Sequence, residues 1–199
     1  QVSPQGISTN AIAEMMHSKP SSVTDMIKKL AEKKWVNYMR YQGVTLTPSG
    51  LNAALMIIRR HRLWELFLVQ HLEFSWDEVH ELAEKLEHIK SEKLIDRLEE
   101  KMQFPAFDPH GDPIPDRKGK MSSQSKLLLS DGVLGQQYIC VGVLDSSSLF
   151  LQFLDKYKIT LGSEIKIVER EDFDASLTIE LNGSQISISN KIAANLFVK

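Results

Sequence analysis

His80, Glu84, Glu87 and His88 stand at i, i+4, i+7 and i+8, so a helix of 3.6 residues per turn sets all four on one stripe. A surface helix normally carries its buried apolar residues at this spacing. A fold that turns such a face inward must compensate two carboxylates and two imidazoles, and a divalent cation does so most simply. His61 and Glu65 repeat the i, i+4 spacing upstream. Two antiparallel helices would then converge oxygen and nitrogen donors on one or two ions. The competing reading is a solvated charged face, the commoner meaning of any single His/Glu pair.

The net charge of -2 over 199 residues hides a division along the chain. Residues 1–62 carry nine Lys or Arg against three acids, residues 63–115 carry five against thirteen, and residues 116–199 balance at ten each. A basic block meets phosphates through counterion release, while an acidic block holds divalent cations.

Within the basic block, residues 9–17 read as a short helix with Ile12, Ala13 and Met16 inward. Residues 21–34 read as a second, with Val23, Met26, Ile27 and Leu30 at helical period behind Pro20. Two short helices about a tight turn make a helix-turn-helix. Ser21, Ser22 and Thr24 open its second helix with small hydroxyl groups suited to bases and phosphates. Lys19, Lys28 and Arg40 are the further candidate DNA contacts. Residues 35–41 and 44–47 read as a β-hairpin wing, with Tyr38 and Tyr41 either near the DNA backbone or packed on the helices. Thr47-Pro48 caps a long helix to about His71. Ser75 to Glu78 forms a capping box opening the polar-stripe helix.

Four of the chain's seven prolines fall between Met102 and Met121, which disfavours helix and central strand there and marks a linker. Strands then follow at 136–143, 164–169, 176–181 and 185–189, with Asn182-Gly183 as a hairpin turn and a helix at about 147–157. Such short strands suggest a small barrel. One cysteine, Cys140, excludes an intrachain disulfide framework and fits a reducing cytoplasm. Neither a spanning segment nor a signal-peptide pattern is present in these residues.

In this order the segments resemble the diphtheria toxin repressor family of metal-dependent transcription regulators, in its manganese-sensing branch with a C-terminal FeoA-like domain. The resemblance rests on Glu84-x-x-Glu87-His88 together with His110-Gly111-Asp112-Pro113-Ile114-Pro115, and it spans nearly the whole chain. It implies an α+β protein: a winged helix-turn-helix over 1–50 without the family's first helix, metal-binding and dimerisation helices over 51–102, a Pro-rich linker over 103–126, and a small FeoA-like β-barrel over 127–199.

The resemblance also implies roles. Glu84, Glu87 and His88 match primary-site ligands, and His61, Glu65 and His80 match the ancillary site, the position of His61 joining the primary cluster in manganese sensors. Iron-sensing relatives carry cysteine where this chain has Glu84, and a hard carboxylate favours Mn(II), with Fe(II) the alternative. Asp108 and His110 match linker positions that supply ligands in some members. The barrel positions completing the ancillary site in iron sensors match Ser146 and Leu149, poor ligands, with Asp145 the neighbouring substitute. The family's first helix, which supplies further primary ligands, would precede Gln1, leaving the primary site of these residues incomplete. The implied partners are double-stranded operator DNA and a second copy, docked through Leu51, Leu55, Ile58, Trp64, Leu68 and the turn from Leu72 to Trp76; no membrane and no catalysis are expected. Two other readings stay open: a metalloenzyme with Glu84 or Glu87 as general base, and a constitutive winged-helix protein with a structural metal.

Overall fold

The computed structural model describes residues 6–39 and 42–199. Arg40, one of the expected DNA contacts, lies outside them. The chain divides into two compact units, one of residues up to Ile58 with Arg117–Gly119, the other of Arg59–Asp116 with Lys120–Lys199.

In the first unit α1 (Thr9–Met15) and α2 (Pro20–Glu32) precede a hairpin of β1 (Val36–Met39) and β2 (Gly43–Leu46). Ser8 caps α1, its side chain accepting from Ala11 N at 3.1 Å, and Pro20 opens α2, where no intrahelical acceptor awaits an amide. Ala13, Val23, Ile27, Val36 and Val44 form the core, with Ile12, Met26, Leu30 and Tyr38 packed against it. Tyr38 therefore serves the packing of the wing, and Met16, expected inward, is 50% exposed. Thr47 caps α3 (Pro48–Leu72), accepting from Gly50 N at 3.0 Å. A Cβ on Gly50 would stand 1.8 Å from the Trp35 carbonyl oxygen, so only glycine lets α3 start this close to the wing.

Helix α3 continues into the second unit, where α4 (Val79–Leu86) and α5 (Glu92–Lys101) follow. Leu63, Trp64, Leu66, Ala83, Ile95, Leu98, Met102 and Ile114 close a core between them. Trp64 and Leu68, expected on a dimer face, are 8% and 4% exposed within the chain. The expected capping box is only half formed. Ser75 N donates to Glu78 Oε2 at 3.4 Å, but the Glu78 amide goes to the Ser75 carbonyl instead of its hydroxyl, residues 76–78 make a turn and α4 begins at Val79.

The Pro-rich stretch is a built turn rather than a tether. Ile114 N donates to Ala106 O at 2.9 Å, Asp108 N to Asp112 O at 2.9 Å, and Ile114 is 5% exposed. Beyond it the strands β3 (Leu127–Leu128), β4 (Gln137–Val143), β5 (Glu164–Arg170), β6 (Leu177–Leu181), β7 (Ser184–Ile188) and β8 (Leu196–Val198) pair in the order β3-β8-β4-β5-β6-β7, all antiparallel. Among the described residues no pairing joins β3 to β7. Helices α6 (Ser148–Lys156) and α7 (Asn190–Ala193) complete this part, and Leu151, Leu154, Ile165, Ile167, Leu177, Ile179 and Leu196 fill its core. No helix is long and apolar enough to cross a membrane among the described residues.

Candidate metal centre

Glu65 projects from α3 into the second unit's interior, 3% exposed, and a buried carboxylate needs compensation for both oxygens. Oε1 receives it from two imidazoles: His61 Nε2 lies 3.0 Å away, one turn back on α3, and His80 Nδ1 on α4 lies 3.2 Å away. Those two nitrogens are themselves 3.2 Å apart. The three atoms thus form a nearly equilateral triangle. Cis ligands of an octahedral ion with bonds of about 2.2 Å stand about 3.1 Å apart, so the donor set fits a divalent cation in both chemistry and spacing.

Oε2 of Glu65 faces a second group. His110 Nδ1 stands 3.7 Å from it, and Asp108 completes a buried set of ligand atoms within 4.8 Å of one another. Asp108 and His110 are 4% and 6% exposed. Asp108 Oδ1 accepts from the backbone amides of His110 and Asp112 at 2.8 and 3.0 Å, which fixes the turn. Gly111, at φ +84°, is required there: a Cβ would stand 2.1 Å from the Val141 carbonyl oxygen on β4. The linker histidine is thereby delivered to Glu65.

Protonation follows from these contacts. Burial works against a charged ring at His61, but its contacts with Glu65 and Glu87 prevail and raise its pKa; at His110 contact with Glu65 does the same. Burial likewise pushes Glu65 upward, and the contacts with His110 and His61 overcome it, holding the carboxyl far below its ordinary value. Asp108 is pushed up to about 6 by burial. Both nitrogens of His61 face carboxylates, Nδ1 standing 2.8 Å from Glu87 Oε2, and a carboxylate only accepts. A protonated ring satisfies both contacts at once, with the Nε2 proton in the position a cation would take.

The expected ligands are only partly assembled. His61, Glu65 and His80 converge, Glu87 joins through His61, and Asp108 and His110 converge with Glu65. Glu84 is exposed, its Oε1 3.9 Å from His80 Nε2. His88 is exposed beyond the end of α4. The stripe is cut because Ile89 N reaches back only three residues to Leu86 O at 3.0 Å, tightening the chain out of the helix. Asp145 accepts from Ser147 N at 2.8 Å ahead of α6 and enters neither group. Ser146 borders an open polar cavity of about 710 Å³ beside His80.

Three arginines flanking His61 escaped the sequence reading. Arg59 forms a buried pair with Glu99, Nη2 to Oε2 at 2.7 Å, and donates to Pro115 O at 2.8 Å. Arg60 Nε donates to Glu87 O at 2.9 Å, holding the end of α4. Arg62 meets Asp112 at 2.9 Å and Asp108 at 3.4 Å and donates to Pro113 O. The run Arg-Arg-His-Arg was the available signal, but a basic run on a helix usually marks a solvated face.

Of the candidate DNA contacts, Ser21, Ser22, Thr24 and Lys28 lie on α2 and Lys19 immediately precedes it. Lys19, Ser21, Ser22 and Lys28 are exposed, Lys28 pairing with Asp25 at 3.2 Å. Thr24 is half-buried and its hydroxyl donates to Pro20 O at 2.8 Å, so its proton is already committed to the helix.

Comparison with known proteins agrees with this division of labour. Residues 3–44 match the iron dependent repressor N-terminal DNA binding domain, residues 47–116 the iron dependent repressor metal binding and dimerisation domain, and residues 127–199 the FeoA domain. The chain belongs to the iron-dependent, diphtheria toxin repressor family of metal-dependent transcriptional regulators. An uncharacterized HTH-type transcriptional regulator of Methanocaldococcus jannaschii is 40% identical over 46% of this chain and 74% of its own length. The diphtheria toxin repressor of Corynebacterium diphtheriae is 24% identical over 94% of this chain and 86% of its own. A solved manganese-dependent transcriptional repressor in complex with manganese superposes with a TM-score of 0.87 at 34% identity, covering 97% of this chain and 90% of that one.

Proposed function

We propose that this protein is a metal-dependent transcriptional repressor that senses Mn(II), binds operator DNA as a homodimer and thereby controls metal-ion homeostasis genes in the cytoplasm. The convergence of His61, Glu65 and His80 around one point carries the reading. Its donors are oxygen and nitrogen without sulfur, which suits Mn(II), and the solved relative named above holds manganese. Fe(II) is the second reading, favoured by the iron-dependent description of two matching domains.

In this reading a bound cation supplies the positive charge that the donors otherwise draw from protons. His61, Glu65 and His80 hold it at one group, Glu65, Asp108 and His110 at the other, with Glu84, Glu87 and His88 as further donors. Arg60 steadies the end of α4 that carries Glu87, and Arg62 steadies the turn carrying Asp108 and His110. Exchange of the imidazolium protons for an ion alters the contacts between α3 and α4. A ligand shifts a conformational equilibrium only through such a difference between states. Ser21, Ser22, Thr24 and Lys28 on α2 and Lys19 just before it face the DNA, with Arg40 as a further contact. Leu51, Ile58, Leu72 and Phe74, between 36% and 53% exposed, supply apolar surface for the second copy. The partition at 1–50, 51–102, 103–126 and 127–199, and closure of the C-terminal sheet into a small barrel, belong to the same proposal.

The test is selection of DNA duplexes from a randomised pool by the full chain, with Mn(II) and with chelator. A regulator of this type enriches one sequence with Mn(II) alone, a constitutive binder enriches it in both, and an enzyme enriches none.

A further inference from the structure

Among the described residues the C-terminal sheet supplies no donor to either ligand group, yet it holds His110 at two points. Val143 N on β4 donates to the His110 carbonyl at 2.9 Å, which fixes the backbone. The ring is fixed through Trp76. Its indole packs against the core of the sheet, stacks on His110 with centroids 6.2 Å apart and planes 6° from parallel, and its carbonyl oxygen lies 2.9 Å from His110 Nε2. The next residue is held by α6, where Ser148 Oγ donates to Asp77 O at 3.1 Å and Gln152 Nε2 to Asp77 Oδ2 at 2.7 Å.

A carbonyl only accepts, so Nε2 must carry a proton, and a neutral His110 presents its lone pair at Nδ1, the nitrogen directed at Glu65. We propose that Trp76 is a positioning residue through which the C-terminal sheet selects the Nε2-protonated form of His110 and aims Nδ1 at the Glu65–Asp108 group. The sheet thus sets metal affinity there without contributing a ligand. The metal side of this inference rests on the functional reading above; the ring state does not.

The experiment uses the full chain and Mn(II) alone as the titrant. Nitrogen chemical shifts of the His110 ring are read without metal at alkaline pH, where the ring is neutral, and Mn(II) affinity is read by calorimetry. Wild type is expected to show a single Nε2-protonated tautomer. Trp76→Ala is expected to mix the tautomers and weaken Mn(II) binding at this group by about tenfold or more, the usual cost of losing a ligand's outer partner. Trp76→Phe, which keeps an aromatic ring against the sheet core to hold the backbone carbonyl in place, is expected to restore both. A wild-type ring protonated at Nδ1, or Trp76→Ala with wild-type tautomer and affinity, or Trp76→Phe no better than Trp76→Ala, overturns the proposal. Should Trp76→Ala not fold, Ser148→Ala with Gln152→Leu decides: it releases Asp77, and an unchanged tautomer and affinity is then the overturning result. Wild type that takes up no Mn(II) while the ring behaves as expected removes the functional reading and leaves the positioning role intact.

Discussion

His61 Nδ1 stands 2.8 Å from Glu87 Oε2, joining the middle of α3 to the end of α4 through the ring that also meets Glu65. Because Glu65 touches both ligand groups, it is the side chain whose loss costs most. Glu65→Gln keeps the volume and removes the charge. It is expected to weaken Mn(II) binding at both groups by more than the roughly tenfold to hundredfold loss typical of an outer partner, and to lower Tm in chelator as well, because the buried carboxylate's contacts with His61 and His110 are lost. Calorimetric titration checks this, and retention of either group at wild-type affinity contradicts the shared role.

Metal uptake should depend on pH in a definite direction. Without metal, His61 and His110 contribute stability that is complete below their ordinary value of 6.5 and fades as pH rises through their raised values. Asp108, raised to about 6, likewise favours the metal-free fold only in its protonated form and loses that contribution as pH rises above its ordinary 3.8. Glu65, held low, keeps its contribution throughout the neutral range. The increase in Tm produced by Mn(II) is therefore expected to be larger at about pH 8 than at about pH 6. A scan at the two values reads it, and an equal or reversed increase denies competition between protons and metal.

The elements of the N-terminal unit were the most legible in the amino-acid sequence. Pro20 and the period of Val23, Ile27 and Leu30 locate α2 because the proline at its first position, the helical period and burial agree there. Glu65, His61 and His80 were legible as candidates for the same reason, since helical spacing alone brings them to facing sides. Other features depend on contacts far apart in sequence. Glu99 pairs with Arg59 forty residues away, and Trp64 looks free until α5 and the linker turn are packed. The end of α4 before His88 carries no Gly or Pro to announce it, and β3 and β8, two and three residues long, lie below what periodicity detects.

The Arg59–Glu99 pair should show the asymmetry of buried charges. Glu99→Gln leaves Arg59, 3% exposed, without its counter-charge and is expected to cost about 3 to 5 kcal/mol. Replacing both, by Arg59→Met with Glu99→Leu, is expected to recover most of that loss. Urea unfolding of the three proteins measures it, and a double variant no more stable than Glu99→Gln would contradict the electrostatic account.

Gly111→Ala should be costly for geometric reasons, since the new Cβ meets the Val141 carbonyl in a backbone conformation that L-residues resist. A loss of about 1 to 3 kcal/mol is expected, together with weaker Mn(II) binding, because the same turn delivers Asp108 and His110. Unfolding and calorimetry on one preparation test both parts; a stable variant with unchanged affinity would separate the turn from the site.

The central claim is that metal licenses DNA binding, and it is tested most directly by titrating a selected operator duplex with the full chain in Mn(II) and in chelator, beside Glu65→Gln under the same conditions. Tight, sequence-specific binding by wild type in Mn(II), lost in chelator and lost in Glu65→Gln under both conditions, is the predicted result. Equal operator affinity for wild type with and without metal would contradict it.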